Sequence, residues 1–376
     1  MTQTIRAGEP RELLALVPFQ LGFVPQESLV LISLREPRNR VGLMARVDLV
    51  DLGDRADGLG AQLARNLVAH ACADGARQLV PVAYVDDDPT EGEAATERVE
   101  TALATVRTAA DGFVDVGAAW LVGPTRYHPR EPDGTVGLGR PLVDLESTQV
   151  GAHMVLAGAS VVPERRDLGR LPVPTASTRA TAVRELRRWR AVVAAAASDG
   201  PEAAAWRDAS VAAWRDEMRR CAAEQQRAAV RNRPTAWGRL GAGLEDVAVR
   251  DRVLLTLVPG TWPAASAWGG DPQDAQTAWA ISAIVDPSVG VPPDPDVCGP
   301  AARALRHVAA HHPEGSTPAL TLLGLLSWWE GSGAEARVWL DRALATDPTY
   351  RLALLLTEAV DAGMPPGWVR ARRAAG

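Results

Sequence analysis

The stretch LLALVPFQLGFVPQESLVLISL, residues 13–34, is almost wholly apolar, and its interpretation decides that of the rest of the chain. Its length suits a membrane-spanning helix, which needs about 20 predominantly apolar residues. Pro18, Gly22 and Pro25 interrupt it, however, and proline ends or kinks a helix because it lacks the backbone N–H donor. The stretch is therefore unsuited to a membrane span.

A buried core explains the same stretch better. We predict a short helix over 11–18, a turn over 22–27 and a strand over 29–34. Mixed charges precede the stretch and no small-residue cleavage site follows it, unlike the pattern of a secretory signal peptide. We therefore expect a cytoplasmic protein without a membrane anchor.

The composition narrows the possible classes of function. The net charge of −6 by itself implies no partner, and the three scattered cysteines do not suggest a disulfide framework. All 40 basic residues are arginine, because the sequence contains no lysine. A pyridoxal-phosphate enzyme, a Walker-type ATPase and a protein kinase each need a lysine amine, so we expect neither pyridoxal phosphate nor a Walker-type ATP site.

Up to about residue 170 the sequence alternates between strand and helix patterns. The first two strands are joined by a loop short enough for a hairpin, and the intervening helices suit crossovers between parallel strands. The predicted fold class is α/β (α+β overall), with a mostly parallel sheet, an antiparallel edge hairpin and a following all-helical domain. Strands are predicted over 29–34, 41–49, 78–85 and 113–123, and helices over 58–75 and 93–112.

Three parts are predicted along the chain: an α/β domain over 1–170, a basic long-helix segment over 171–233 and a helical domain over 234–376. Residues 176–233 hold 12 arginines against 7 acidic residues, a net charge of +5. The last part ends in a tetratricopeptide-like helix pair at about 318–362. There Gly324 and Ala336 have the spacing of the small residues at a repeat's helix crossing, and Ser332 with Glu335 matches a capping box.

Several segments carry a resemblance to a known family. They include the opening stretch, ARVDL, VAYVDDD, VGAHMVLAGASVVPERRDL, LEDVAVRDRVLL and LLGLLSWWEGSGAEARVWLDRALATDPTYRLA, and they span nearly the whole chain. The chain resembles domain-of-unknown-function family 4192, and the resemblance implies no activity. Members of that family often have a cysteine-rich segment before a G-x-P-L element. Here PTRYHPREPDGTVGLGRPL has no cysteine, which argues against a metal or redox role for it.

Carboxylates at predicted strand ends form the first candidate site, a ligand or metal pocket. Asp48 closes the second strand, and Asp86 and Asp87 follow the third. Ligands of open α/β sheets bind at the carboxyl ends of parallel strands, and clustered carboxylates suit Mg²⁺ binding or acid–base work. We expect the second and third strands to be adjacent, with Asp48 and Asp86 within about 15 Å, three strand spacings. The alternative is a solvated acidic turn.

A basic helix and a tryptophan-containing loop form the second candidate, an interaction surface. Arg184, Arg187 and Arg188 belong to the run RELRRWR, and Trp262 and Trp268 lie in a loop rich in proline and glycine. Exposed tryptophan is enriched in binding hot spots. The basic helix suits its own acidic neighbours or an acidic protein. No nucleic-acid-binding fold is recognisable, which disfavours a nucleic-acid partner.

Three histidines on one predicted helix raise the question of a zinc site. His307 and His311 are four residues apart, a spacing that lets two ring nitrogens share a metal. The segment lacks the H-E-x-x-H pattern, so we expect His307, His311 and His312 to be exposed on a helix face and assign no metal ligand.

The leading hypothesis is a non-catalytic cytoplasmic interaction module with a protein partner. The alternative is a metal-assisted hydrolase or a small-ligand-binding protein with its site at the carboxyl ends of the sheet strands. The residues assign neither a catalytic group nor an oligomeric state.

Overall fold

The computed structural model describes residues 9–53, 58–90, 93–131, 133–156, 159–198, 200–224, 231–259 and 275–374. The chain forms two compact units, Met1–Leu168 and Gly169–Gly376, each with its own buried core. A finer division at residue 233 stays a prediction.

The first unit combines one sheet with helices. Its elements are α1 (Pro10–Leu21), β1 (Ser28–Arg35), β2 (Arg40–Asp48), α2 (Leu49–Gly53), α3 (Leu59–Ala73), β3 (Ala76–Tyr84), α4 (Glu93–Ala110), β4 (Asp115–Val116), β5 (Ala119–Val122), β6 (Arg126–Arg130), β7 (Arg140–Pro141), α5 (Val143–Glu146) and α6 (Gln149–Leu156). A short 3-10 helix, Arg165–Gly169, follows along the chain.

The second unit is mainly helical. Its helices are α7 (Ala176–Ala194), α8 (Pro201–Ala223), α9 (Pro234–Glu245), α10 (Val247–Leu255), α11 (Ala275–Val285), α12 (Pro295–His311), α13 (Thr317–Trp329), α14 (Gly333–Thr346), α15 (Arg351–Asp361) and α16 (Gly367–Ala374). The predicted long-helix segment contains the two long helices α7 and α8, and Pro201 occupies the first turn of α8.

The opening stretch folds into the predicted helix, turn and buried strand. α1 continues one turn past Pro18, and Gly22 then ends it by donating its N–H to the Pro18 carbonyl over 2.8 Å. Gly22 has a φ of 80°, a left-handed conformation that glycine adopts without a Cβ penalty. β1 begins at Ser28 and is buried as far as Leu34. The apolar stretch is thus core of the first unit.

The sheet differs from the predicted one in the order and direction of its strands. The order is β2-β1-β3-β5-β6-β7, with β4 beside β3. β1 pairs antiparallel with both β2 and β3, and β6 pairs antiparallel with both β5 and β7. Within the described residues, parallel pairing is confined to β3 with β4 and β5. The predicted mostly parallel sheet is therefore wrong, since the sheet is mixed and mostly antiparallel.

The burial of β1 gives the physical reason for this order. All of β1 except Arg35 is buried, so the strand needs a neighbour on each side and a covered layer on each face. β2 is half-buried over most of its length and lies at the edge of the sheet. The chain therefore leaves β2, crosses through α3 and returns as β3 on the far side of β1.

Helices cover both faces of the central strands. Leu29 and Leu31 share one core with residues of α3 and α4, whereas Val30 and Ile32 share another with residues of α1. This division follows from the period of two along a strand, which sends successive side chains to opposite faces. The arrangement places the start of α4 near the end of β3.

The core of the second unit is rich in tryptophan. The largest fully buried side chains of this unit are Trp214, Trp237, Trp329 and Trp339. Three of them have a partner for the indole N–H: Trp214 donates to the Thr256 hydroxyl over 2.9 Å, Trp329 to the Val291 carbonyl over 3.0 Å and Trp339 to the Glu335 carboxylate over 3.2 Å. These four indoles thus belong to the core of the second unit.

α13 and α14 pack closely on one another at Gly324. An added Cβ at Gly324 would lie 2.8 Å from the Leu340 Cγ atom, and Ala336 is also fully buried. The predicted capping box is wrong, because Ser332 stands at the N-cap of α14 but its side chain accepts no capping hydrogen bond.

Replacing Gly324 by leucine is expected to lower the free energy of unfolding by about 1–3 kcal/mol through overpacking. Urea-induced unfolding measures the change. Leucine at Gly333, where an added Cβ meets no atom within 4 Å, is the matched control. Equal unfolding midpoints for the two variants would contradict a close helix crossing at Gly324.

Candidate functional site

The carboxyl ends of β2 and β3 lie at the same edge of the sheet. Both strands run antiparallel to β1, and Ser28 pairs with Asp48 on one side and with Tyr84 on the other. Asp48 and Tyr84 are therefore about 10 Å apart, two strand spacings, and Asp86 and Asp87 follow Tyr84 after one intervening residue, Val85. The predicted acidic residues share this edge, although the prediction that their strands are adjacent is wrong.

Glu27 lies between the two sets of aspartates and was not predicted as a site residue. Its carboxylate accepts the Asp86 backbone N–H over 3.0 Å and an Arg98 guanidinium N–H over 3.0 Å. Its backbone carbonyl accepts the Leu49 N–H over 2.9 Å. One sequence signal could have found it: Glu27 is the charged residue directly before the central buried strand, whose two neighbours end in aspartates.

The carboxylates of this edge have different surroundings. Asp48 forms an ion pair with Arg46 at 2.5 Å. Partial burial raises the pKa of Asp86, and the negative charges of Glu27 and Asp87 raise it further. Asp88 accepts the N–H and hydroxyl of Thr90, and these hydrogen bonds lower its pKa. Across the described ranges, no group of three or more His, Cys, Asp or Glu side chains is arranged to hold a metal ion.

A groove with a volume of about 820 Å³ opens beside this edge, between α2, α3 and α4. Its size falls within the roughly 300–1,000 Å³ of small-molecule sites. Arg98 lines the groove and also binds Glu27, so the groove and the acidic edge are continuous. The other lining residues are Leu49, Val50, Asp51, Gly53, Leu59, Gln62, Leu63, Asn66, Glu97 and Thr101.

The predicted basic surface lies on the outer face of α7. Arg184, Arg187 and Arg188 are all exposed, and we call these three residues the arginine strip. Arg184 and Arg187 form no ion pair with any described residue, and Arg188 reaches Glu185 at 3.8 Å with its own side chain 79% exposed. Such an exposed pair contributes little, so the fold leaves the strip positively charged.

Other arginines of the same segment are neutralised inside the unit. Each is paired with a carboxylate that lies far away along the chain or on another turn of helix. The pairs are Arg190–Glu245 (2.6 Å), Arg207–Asp246 (3.0 Å) and Arg233–Glu224 (2.9 Å). The arginine strip therefore differs from these paired arginines in leaving its positive charge exposed to solvent.

Comparison with protein families gives one full-length result. The family described as Domain of unknown function (DUF4192) matches residues 10–367. The chain belongs to this family. No curated protein and no solved structure matches the chain. Membership of the DUF4192 family supplies no evidence for a tetratricopeptide-like hairpin at α13 and α14.

Trp262 and Trp268, the two tryptophans of the predicted interaction surface, lie outside the described residues of this DUF4192 chain.

The helices can also be compared with what a membrane span requires. In the part of the chain that is described, none of them combines the length and the apolar character needed to cross a bilayer.

The three histidines of this DUF4192 chain lie around the end of α12, and the prediction that they are exposed is wrong. His311 is 3% exposed, and the His307 ring stacks on Trp237 with ring centroids 4.9 Å apart. Burial lowers the pKa of His307 to about 4 and also lowers the pKa of His311. Both rings are therefore neutral at pH 7. His312 contacts Glu245 at 3.2 Å.

Proposed function

We propose that this chain is a protein-interaction module whose arginine strip on α7 binds an acidic protein partner. The observation that carries the proposal is the contrast between the strip and the paired arginines of the same unit. Three exposed guanidinium groups on one helix face attract a surface of opposite charge and steer its approach. No catalytic group has to be assumed.

The surroundings of the strip indicate the shape of the partner. Ala191 and Val192 continue the exposed face of α7 beyond Arg188, and Val192 is 49% exposed. A face with charges at one end and small apolar groups at the other suits an acidic amphipathic helix, whose apolar side packs on alanine and valine. An acidic partner of this kind fits better than a nucleic acid, which would gain nothing from the apolar end.

The proposal also includes a repeat-like role for the helix pair of α13 and α14. The evidence for this role is the close approach of the two helices at Gly324, where an added Cβ would lie 2.8 Å from Leu340. Tetratricopeptide repeats use small residues at this crossing to bring two helices together and stack them. We propose that the pair stabilises the end of the helical unit.

The test is photo-crosslinking in native cells, with a crosslinking amino acid at Ala191. We expect one acidic protein to be captured, and Arg187→Glu with Arg188→Glu to reduce its yield about tenfold or more, since opposite charges become like charges. The matched control is Arg219→Glu with Arg351→Glu, which changes the net charge by the same amount at two exposed arginines elsewhere in the unit.

Undiminished capture by the charge-reversed variant would contradict the proposal, as would equal losses in both variants. Nuclease treatment before capture tests the alternative of a nucleic acid. If that treatment removes the crosslinked product, the strip binds nucleic acid and the protein-partner proposal is wrong.

The acidic edge of the first unit supports a second candidate function, the binding of a multivalent cation or cationic ligand, including metal-assisted hydrolysis. The observation that favours it is the groove of about 820 Å³, because its lining residue Arg98 also binds Glu27 of the acidic edge. Partial burial is the main cause of the raised pKa of Asp86, and the negative charges of Glu27 and Asp87 raise it further; a bound cation would relieve that repulsion.

Thermal-shift titration with Mg²⁺, Mn²⁺ and spermidine tests this second function. A bound cation should stabilise the protein by about 2.7 kcal/mol at a hundredfold excess over Kd. Asp86→Asn with Asp87→Asn should abolish the gain and leave the cation-free protein as stable or slightly more stable at pH 7. Flat titrations with all three cations would contradict cation binding, and a gain for Mg²⁺ or Mn²⁺ alone would favour the metal-assisted form.

A further inference from the structure

The groove beside the acidic edge of the first unit has an apolar surface as well as a charged one. Val50 of α2 is 70% exposed and Leu59 of α3 is 63% exposed, and both line the groove together with the half-buried Leu63. Single exposed aliphatic side chains are common on proteins, but several that share one concave surface are typical of an interaction site. The groove therefore offers an apolar contact surface to a partner.

Four exposed carboxylates lie in or beside the same groove and form no ion pair with any residue in the described part of the chain. In this they differ from the two other carboxylates of the edge, because Glu27 is paired with Arg98 and Asp48 with Arg46. The edge and the groove therefore keep negative charge open to solvent next to the apolar surface. The four are Asp51 and Glu97 in the groove, and Asp86 and Asp87 at the sheet edge.

The arginine strip on α7 has the complementary pattern. Its exposed face continues toward the end of the helix with Ala191, Val192 and Ala195. Arg184, Arg188, Ala191 and Ala195 follow one another at intervals of three or four residues, so charged and apolar groups lie in one row on the helix. The face from Arg184 to Ala195 is about 17 Å long. It carries its charges at one end and its apolar groups at the other.

We propose that the acidic partner of the arginine strip is a second copy of this chain, whose groove and acidic edge receive α7. The inference rests on the proposed function, because it uses the same strip as the binding face and adds the identity of the partner. The guanidinium groups meet the free carboxylates, and Ala191 and Val192 lie against Val50 and Leu59. Laying one face of a helix in a groove with apolar anchors is a common mode of protein recognition.

Charge complementarity favours a second copy as the occupant of the groove. Three unneutralised positive charges on the strip match four free negative charges at the groove and the edge, and the whole chain is itself acidic, with a net charge of −6. The acidic and apolar groups of the groove are carried by helices α2, α3 and α4, which is the chemistry that the strip requires of a partner. The contact joins unlike surfaces of two copies, so it either closes reciprocally as a dimer or continues into longer assemblies.

Sedimentation velocity on the purified full chain measures the association. The groove is small for a protein interface, so we expect the monomer to associate between about 1 and 100 µM. Raising NaCl from about 0.05 M to 0.5 M should weaken the association by about tenfold or more, because salt screens exposed charges.

A charge exchange tests which surfaces meet. Arg187→Glu with Arg188→Glu should weaken self-association by about tenfold or more, and so should Asp86→Arg with Asp87→Arg, because each change places like charges opposite one another. An equimolar mixture of the two variants should associate again, since each variant then carries the surface that the other needs. The control Arg219→Glu with Arg351→Glu should associate as the wild type does.

The apolar part of the contact is tested separately. Val50→Gln should weaken association by about threefold to tenfold without changing any charge, because it replaces an apolar contact by a polar group that has to lose its water. Val247→Gln is the matched control, at a valine of the helical unit that is 59% exposed. Equal association of these two variants would contradict the docking of α7 in the groove.

The inference is overturned if the wild-type chain stays monomeric over this concentration range or if the mixed charge variants fail to associate. Crosslinking from Ala191 in cells keeps this outcome distinct from the failure of the proposed function. If it captures a different acidic protein while the purified chain stays monomeric, the second copy is wrong and the proposed function stands. If it captures this chain itself, and reversal of Arg187 and Arg188 removes that product, both are supported.

Discussion

Replacing Glu217 by alanine is expected to lower the free energy of unfolding of the helical unit by about 3–5 kcal/mol. The Glu217 side chain is 1% exposed and accepts the Arg233 Nε–H over 2.6 Å. Arg233 is itself mostly buried and keeps one other carboxylate, Glu224 at 2.9 Å. Removing Glu217 therefore leaves the buried Arg233 guanidinium without one of its two carboxylate partners. The free-energy cost of such a loss is far larger than the contribution of an exposed ion pair.

Urea-induced unfolding of the full chain measures this effect. Asp216→Ala is the matched control, because Asp216 is the neighbouring residue and forms an exposed ion pair with Arg219. We expect less than about 1 kcal/mol for the control. Glu217→Gln should fall between the two, since it keeps the side-chain volume and one acceptor oxygen while removing the charge. A loss for Glu217→Ala as small as that of the control would show that Arg233 reaches water instead.

The opening stretch shows what a sequence pattern can predict. Pro18 and Gly22 limited the helix, and the apolar run after Glu27 indicated a buried strand, because these are local properties of the chain. The helix nevertheless runs to Leu21. Proline removes one hydrogen bond of the ladder, and packing of the same helix on the sheet outweighs that loss.

The order of the strands could not be predicted in the same way. Periodicity along a strand determines which side chains share a face, but it does not determine which strand lies alongside. The segment between β2 and β3 suited a crossover to a parallel neighbour as well as a crossover over β1, and β1 took the place between them. β6 and β7 lacked apolar alternation, as the sequence RYHPR illustrates, so neither was predicted.

The candidate sites show the same difference between residues that local sequence identifies and residues whose role depends on contacts distant along the chain. Asp48, Asp86 and Asp87 were found because each follows a strand pattern directly. Glu27 was missed because its role depends on Arg98, 71 residues away along the chain. The sequence likewise revealed the arginine surplus but not its location, since the partner of Arg190 is 55 residues distant.

The position of the arginine strip depends on how closely α7 approaches α9. At Gly238 of α9, an added Cβ would lie 2.1 Å from the backbone carbonyl oxygen of Ala182 on α7. No side-chain rotation relieves a clash with backbone, so the two helices would have to separate. Gly238→Ala is therefore expected to lower the free energy of unfolding by about 3 kcal/mol, the upper end of the usual cost of overpacking.

Gly241 on the same helix provides the matched control. An added Cβ there would lie 3.3 Å from the Leu186 Cδ1 atom, the end of a flexible side chain that is able to shift. Gly241→Ala should change stability by less than about 1 kcal/mol, because alanine's higher helix propensity offsets the tight contact. If Gly238→Ala and Gly241→Ala unfold at the same urea concentration, α7 does not rest on the backbone of α9. In that case the arginine strip would not be held rigidly, and a preformed binding face on α7 would lose its structural basis.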